Sequence, residues 1–287
     1  MTILVIGGTG KIGSFVVEEL VRRNADVSVL GTKASGNAIS GGARYIRGDT
    51  LDVDFVRELL ASVSTVFLLN PATDDELARA LLVLGLAEEA GIERFVYLSM
   101  MGADTFKNSS RAAAKLMTEH VIAERGLPTT ILRPNALFQN DVLLRDAILN
   151  DHVYATPLGD IGVTLLDGRD LGEVAALELL RREEAASPLP SVTIEVVGPE
   201  TFKGSDMAAL WSDVLGEPIR YMGDDLGSVE LSMRQAMSPS AAYAIKQVFV
   251  GILSQGVLGQ PGAAADLEKL LGRPLRKYRA FATELVA

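Results

Sequence analysis

A doubly wound, parallel α/β sheet is the fold this sequence predicts, and three features predict it. Strand-like and helix-like segments alternate, several strands are apolar along their whole length, and a glycine-rich turn joins the first strand to the first helix. Residues 2–6 are a short apolar run cut off by Gly7. Residues 12–23 follow as a helix, because Ile12, Phe15, Val16 and Leu20 fall on one helical face. Strands are expected at 27–30 and 44–47, a helix at 52–61 and a strand at 65–69. A helix over 74–90 starts at an Asp cap and stops at Gly91. A strand at 94–98, a helix at 111–125 ended by Gly126, and a strand at 129–132 complete the regular part. Unbroken apolar strands are what helices on both faces of a parallel sheet require.

The alternation loosens after Pro134. A strand at 163–166, a helix at 170–182 and a strand at 192–196 remain legible. Helices then dominate, at 205–215, within 228–253, at 263–271 and at 277–286. Ser187-Pro188-Leu189-Pro190 reads as a loop too short to be a linker.

Bulk composition narrows the function. The chain has 287 residues, 48% apolar and 22% charged, as expected of a water-soluble globular protein with a sizeable core. Its net charge of -10 argues against a nucleic-acid partner, which needs clustered Lys and Arg. With no cysteine, disulfides, thiolate metal sites and a thiol nucleophile are excluded. No secretory signal is read at the start, and no apolar stretch approaches a bilayer span, so the expectation is a cytoplasmic protein without a membrane partner.

The strongest motif is Gly7-Gly8-Thr9-Gly10-Lys11-Ile12-Gly13, directly after a strand and opening a helix. In that context Gly7 takes a tight turn, Gly10 lets the backbone approach a pyrophosphate, and Gly13 lets helix pack on strand. The helix N-terminus offers amide N–H groups and a partial positive charge to phosphates. A Walker A loop is excluded, because Gly10-Lys11 is followed by Ile12 rather than Ser or Thr. The expected organisation is therefore a Rossmann-type NAD(P)-binding domain over 1–134, to which later segments add strands. A smaller, mostly helical substrate-binding region spans 135–287.

Sites for NAD carry an acid at the end of the second strand to hold the ribose 2′-hydroxyl. Here that end reads Leu30-Gly31-Thr32-Lys33-Ala34-Ser35, and no acid occurs between Asp26 and Asp49. A 2′-phosphate would meet Thr32, Lys33 and Ser35 instead, which favours NADP(H) while still admitting NAD(H). Lys33 also reads as an ordinary solvated loop lysine. Asp49, with Thr50 after the third strand, is placed to accept from the adenine amino group, or to cap the helix that follows. Leu69, Asn70 and Pro71 end the fourth strand, and Ser99 and Met100 end the fifth, both at the sheet's carboxyl edge.

In order along the chain, these segments resemble the NmrA-like family of atypical short-chain dehydrogenases/reductases. They are Gly7–Gly13, Gly48-Asp49, residues 66–71, residues 95–99 with Gly102-Ala103, and Lys115 with Glu119. Residues 126–134, Phe138-Gln139-Asn140, residues 167–173 and Gly198-Pro199-Glu200 follow. The likeness covers about residues 1–220. The family includes quinone, azo-dye and triphenylmethane-dye reductases and cofactor-sensing regulators. The resemblance implies that the turn (Gly7, Thr9, Gly10, Lys11, Ile12, Gly13) and Asp49 bind cofactor. It implies that residues 69–71, Ser99 and Met100 line the cofactor and that Lys115 lies near the nicotinamide ribose. Met101, Asn135 and Phe138 would then wall a substrate pocket.

One departure bears on the chemistry. A Tyr-x-x-x-Lys dyad shuttles a proton in ordinary short-chain dehydrogenases. Here Arg111 stands four residues before Lys115, and none of the six tyrosines precedes a Lys at that spacing. The expectation is direct hydride transfer to a soft acceptor, an aromatic or quinone-like small molecule, with water or Lys115 supplying the proton. The alternative is a non-catalytic NADP(H) redox sensor that regulates a partner protein, and either a monomer or a homodimer fits. Lys115 alternatively reads as a surface lysine pairing with Glu119 one helical turn on. His120 and His152 lack ligand spacing, so no metal is expected. Asp170 reads as the cap of a helix beginning at Leu171, and Trp211 as core.

Overall fold

Nearly continuous apolar runs at 3–6, 65–68 and 95–98 are buried on both faces of the sheet and form its centre. The computed structural model describes residues 1–32 and 41–287. In chain order the elements are β1 (Ile3–Ile6), α1 (Lys11–Arg22), β2 (Val27–Gly31), β3 (Arg44–Arg47), α2 (Val53–Leu60), β4 (Thr65–Leu68), α3 (Glu76–Glu89), β5 (Phe95–Leu98), α4 (Ser110–Glu124) and β6 (Thr129–Pro134). A short 3-10 helix (Phe138–Leu144), α5 (Arg145–Asn150), β7 (Val153–Tyr154), α6 (Gly168–Glu183), β8 (Val192–Val196), α7 (Gly204–Leu215) and β9 (Arg220–Tyr221) follow. The last elements are α8 (Leu226–Met233), α9 (Pro239–Gln255), α10 (Ala263–Leu271) and α11 (Tyr278–Val286).

Seven strands form one sheet in the order β3-β2-β1-β4-β5-β6-β8, and β7 pairs with β9 in a second, parallel ribbon. All the pairings from β3 through β6 are parallel. The order reverses between β1 and β4, so the chain winds outward in both directions from those two strands. In open α/β sheets that switch point opens a crevice at the carboxyl ends of the strands.

Strand alternation assigns the core. Leu4, Ile6, Val66, Leu68, Phe95 and Tyr97 pack with Val83, Leu84 and Ile122 of α3 and α4. Val5 and Val29 point the other way, toward Val17 of α1, and all three crowd the Cα of Gly8. Also in this layer, α6 meets α1 backbone to side chain: a Cβ on Gly172 would stand 2.6 Å from Phe15 Cβ and 2.8 Å from its carbonyl carbon.

The chain divides into two compact units. The first comprises Met1–Ser99, Ala114–Arg133 and Leu171–Ile194, and the second Met100–Ala113, Pro134–Asp170 and Glu195–Ala287. In the first, buried Arg182 donates to Thr130 Oγ1 at 2.7 Å and to the carbonyls of Pro128, Leu189 and Pro190. It thereby pins the proline-rich loop, and burial, with Arg181 beside it, pulls its pKa down to about 10. In the second, Tyr278 and Tyr154 both donate to Asp141 Oδ2, at 2.6 and 3.0 Å, and Trp211 donates to the Tyr278 hydroxyl at 3.1 Å. Trp211 is fully buried, as a core residue should be.

Several expected elements are corrected. Residues 163–166 do not form a strand: Val163 bridges Phe202 and Val257 and Leu166 bridges Leu137, so no one partner runs alongside. The helix expected from Leu171 begins at Gly168, and Asp170 is not its cap. Its carboxylate instead takes the amide of Arg276 at 2.8 Å and the guanidinium groups of Arg273 and Arg276. The helix over 74–90 starts at Glu76, and Asp75 pairs with Arg79 at 2.8 Å rather than capping. Residues 228–253 split into α8 and α9, because Ser238 caps Ala241 N–H and Pro239 occupies the first helical position. The short strands β7 and β9 carried no sequence signal.

Gly172→Ala separates propensity from packing. Ala is favoured over Gly in a helix by about 1 kcal/mol. Overlap with the Phe15 backbone cannot be relieved by rotating a side chain, and overpacking costs about 1–3 kcal/mol. The variant should unfold at lower urea concentration than the parent. A rise in the midpoint would mean α1 and α6 are not held at this distance.

Candidate functional site

The turn after β1 is shaped by backbone contacts that side chains would block. Gly7 has φ +81°, and a Cβ there would strike Leu69 O at the end of β4. A Cβ on Gly13 would overlap Gly7 O and stand 2.6 Å from Gly8 Cα. The Gly10 amide donates to Gly7 O at 3.0 Å, closing the turn. Gly10 is the N-cap of α1 and has no side chain with which to cap it. Among the described residues the amides of Ile12 and Gly13 find no acceptor. Those donors and the helix dipole form an anion cradle at the switch point. Lys11 is exposed and Ile12 half-buried at its rim.

Thr9 lies against the end of β2, for a Cβ on Gly31 would stand 3.0 Å from Thr9 Cγ2. Thr32, Arg47, Gly48 and Asp49 then line a cavity of about 260 Å³ at the ends of β2 and β3. Lys33 and Ser35 lie outside the described residues. Asp49 is not the helix cap: Asp52 is, accepting from Phe55 N at 3.2 Å. Asp49 instead takes Leu51 N–H and the Arg79 guanidinium, both on Oδ1. The Leu51 amide and then Arg79 hold its carboxyl below the ordinary value, so it is an anion across the neutral range. Its Oδ2 accepts nothing among the described residues and is available to a donor such as an adenine amino group. Thr50 is buried and accepts from Arg79 at 2.9 Å.

Lys115 is not a surface lysine. It is 2% exposed, pairs with buried Glu76 at 2.8 Å, donates to Leu98 O at 2.7 Å and sits 5.1 Å from the Tyr97 ring centre. It thereby ties the last residue of β5 to the first residue of α3. The carbonyl of Glu76 in turn accepts from Asn70 Nδ2 at 3.4 Å. Asn70 is buried, and its Oδ1 has no hydrogen-bond partner among the described residues. Leu69 and Pro71 flank it, half-buried and exposed respectively. Buried Ser99 donates to Glu119, whose carboxylate also receives Arg133 at 2.5 Å. The structure thus brings the glycine turn, Thr32, Asp49, Asn70 and the end of β5 to one edge of the sheet.

The remaining candidates belong to the second unit. Met100 is half-buried and Met101 buried, its amide donating to Pro134 O at 3.0 Å. Asn135 is fully engaged: Nδ2 donates to Thr164 Oγ1 and Val257 O, both at 2.8 Å, and Oδ1 accepts from Ala136 N. Phe138 is 1% exposed and packs edge-on against Tyr278 at 5.0 Å. The side chains of Asn135 and Phe138 therefore serve the unit's own packing. Arg79, Glu76 and Arg47 were missed in the sequence. Only Arg79 carried a signal, standing one turn after Asp75.

The residues present fit a dinucleotide: the cradle is one that a Cβ would fill, Asp49 Oδ2 is open, and Asn70 holds an orphaned buried acceptor. A doubly wound parallel sheet with this turn at its switch point defines a Rossmann-type protein. The chain belongs to the NmrA-like family, whose model matches residues 1–248. It is 28% identical over 290 residues to the NAD(P)H azoreductase of Xenophilus azovorans, covering 98% of this chain and 96% of that protein. Among solved structures it resembles the NADPH-dependent quinone oxidoreductase of Escherichia coli complexed with NADPH. That match has a TM-score of 0.84 at 20% identity over 99% of this chain and 100% of the other. It also resembles the Citrobacter sp. triphenylmethane reductase complexed with NADP(H), at a TM-score of 0.82 and 18% identity over all of both chains. These two likenesses show the fold. No described helix is long and apolar enough to cross a membrane.

The Lys115–Glu76 pair makes a stability prediction. Lys115→Met should cost about 3–5 kcal/mol by leaving Glu76 buried without its cation. Lys115→Met with Glu76→Met should recover much of that loss in urea denaturation. A double variant as unstable as the single one would show that the ion pair is not the relevant contact.

Proposed function

We propose that this chain is an NAD(P)H-dependent reductase that acts on a soft, flat acceptor such as a quinone or an azo or triphenylmethane dye. The observation that carries the reading is a dinucleotide cradle beside a lysine that Arg111, not a tyrosine, precedes by four residues and that is already bound to Glu76 and Leu98 O. When bound, the nicotinamide supplies a hydride. The amides of Ile12 and Gly13 hold the pyrophosphate, Asp49 Oδ2 the adenine amino group, and Asn70 Oδ1 a ribose hydroxyl. Lys115 acts as a positioning residue. It fixes the end of β5 and, through Glu76, sets the orientation of Asn70.

The absence of the dyad fits the acceptor class. A hydroquinone anion is a weak base that water protonates, and a cationic triphenylmethane dye takes a hydride without any proton, so neither needs a dedicated side-chain acid. Ketone reduction would need that acid. Support for the acceptor class also comes from the azoreductase, quinone oxidoreductase and triphenylmethane reductase named above. Met101, Asn135 and Phe138 shape the acceptor region by holding the second unit's backbone, and the acceptor is a small molecule.

A titration of the purified protein with NADPH and with NADH, followed by addition of a quinone or azo dye in the same cuvette, tests the reading. The expected result is saturable NADPH binding and acceptor-dependent loss of absorbance at the reduced-nicotinamide band. Tight binding with no oxidation by any of a broad quinone and dye panel would contradict it. That outcome would favour a cofactor sensor acting on a partner protein.

A further inference from the structure

The carboxyl ends of β4 and β5 separate one rung before the edge of the sheet. Their register runs from Val66 beside Phe95 to Leu68 beside Tyr97 and stops there. β5 meanwhile stays with β6: Leu98 lies beside Leu132, and Ser99 N–H donates to Leu132 O at 2.8 Å. Val66 N–H donates to Arg94 O at 2.9 Å. Rungs of a parallel ladder recur every two residues along a strand, so the same register assigns Asn70 N–H to Leu98 O. That bond is not made. Leu98 O takes Lys115 Nζ at 2.7 Å instead, and among the described residues the Asn70 amide finds no acceptor. Pro71 does not forbid the missing rung, because a following proline favours the extended backbone that the rung needs.

We propose that Lys115 is a wedge: its ammonium occupies the carbonyl that the next rung of β4 would use, and so keeps the Asn70 amide and Oδ1 open to a ligand. Lys115 is 2% exposed and is locked in place by Glu76 at 2.8 Å. Its bond to Leu98 O is charge-assisted and therefore stronger than the amide bond it displaces. That strength lets the fold tolerate a buried amide without an acceptor, which is otherwise costly. Asn70 is itself buried, its Oδ1 is unpartnered among the described residues, and its Nδ2 is held on Glu76 O at 3.4 Å. The slot thus offers one donor and one acceptor on a single residue. A sugar hydroxyl, which donates and accepts at once, satisfies both. A zipped β4–β5 end would offer the acceptor alone. The ligand rests on the dinucleotide reading above, whereas the parting of the strands is a property of the free protein. The competing explanation is that the chain leaves β4 to reach α3, with Thr73 N–H donating to Pro71 O, and that Lys115 fills a gap already there.

Amide exchange at Asn70, followed by NMR on uniformly labelled protein with Val5 of β1 as the reference, tests the wedge. In the parent, Asn70 N should show no coupling through a hydrogen bond to the Leu98 carbonyl carbon, and NADPH should slow exchange at Asn70. Lys115→Met with Glu76→Met removes the wedge without leaving a buried charge, and Asn70 N–H should then gain Leu98 O. Its exchange without ligand should slow by about 10-fold relative to Val5, and NADPH affinity should fall by about 10-fold or more. Loss of stability alone speeds exchange, so slowing at one amide is a signature that a merely structural role does not produce. Lys115→Arg, which keeps a cation for Leu98 O and Glu76, should exchange as the parent does. Unchanged or faster exchange at Asn70 in the double variant would overturn the wedge and leave the passive gap. A coupling between Asn70 and Leu98 in the parent would overturn it whether or not the variants fold. NADPH that binds the parent without slowing Asn70 would overturn the slot as its site. Slowed exchange in the double variant, with no NADPH binding to the parent, would uphold the wedge and remove the dinucleotide reading, so the two fail separately.

Discussion

Gly13 touches the turn at Gly7 and Gly8 more closely than any side chain would permit, and this backbone contact organises the molecule's carboxyl edge. It sets α1 directly over the end of β1, with Gly10 as an N-cap that leaves first-turn amides open. Because Gly7 also abuts Leu69 O, the same contact fixes the distance from α1 to the end of β4. The switch point between β1 and β4 is thus a shaped site with fixed donors. Its other side is secured by Gly172, which lets α6 press against Phe15 of α1.

Charge is handled differently at the two ends of this edge. At the β5 end, Lys115 is buried against Glu76 and a carbonyl, and its work is internal. At the β2–β3 end, Asp49 and Arg79 neutralise one another beside the cavity lined by Thr32, Arg47 and Gly48. A buried ion pair contributes little net stability, since desolvation offsets the attraction. What it does supply is position. The contacts from Lys115 through Glu76 hold Asn70 with one acceptor unsatisfied among the described residues, and an unsatisfied buried acceptor is costly unless a ligand takes it up.

Much of this was legible in the sequence because it is local. The β1–turn–α1 unit depends on residues within a dozen positions of each other, and the strand–helix alternation through β6 follows from adjacent apolar residues. What escaped was decided by residues far apart. Lys115 was expected near the nicotinamide ribose, with a surface pair to Glu119 as the alternative, and nothing in its own helix announces Glu76, 39 positions earlier. Asp170 looked like a cap until Arg273 and Arg276 arrived from the end of the chain. Residues 163–166 had strand composition, but each bridge goes to a different partner. Asn135 and Phe138 were expected at a pocket wall, and their polar and aromatic surfaces are taken up by Thr164, Val257 and Tyr278.

The central claim is that the first turn of α1 receives the phosphates of a dinucleotide. Hydrogen exchange of the peptide spanning residues 7–14, measured with and without saturating NADPH, tests it most directly. The account predicts that the open amides of Ile12 and Gly13 exchange markedly more slowly when NADPH is bound. Unchanged exchange there, with NADPH demonstrably bound, would place the phosphates elsewhere and contradict it.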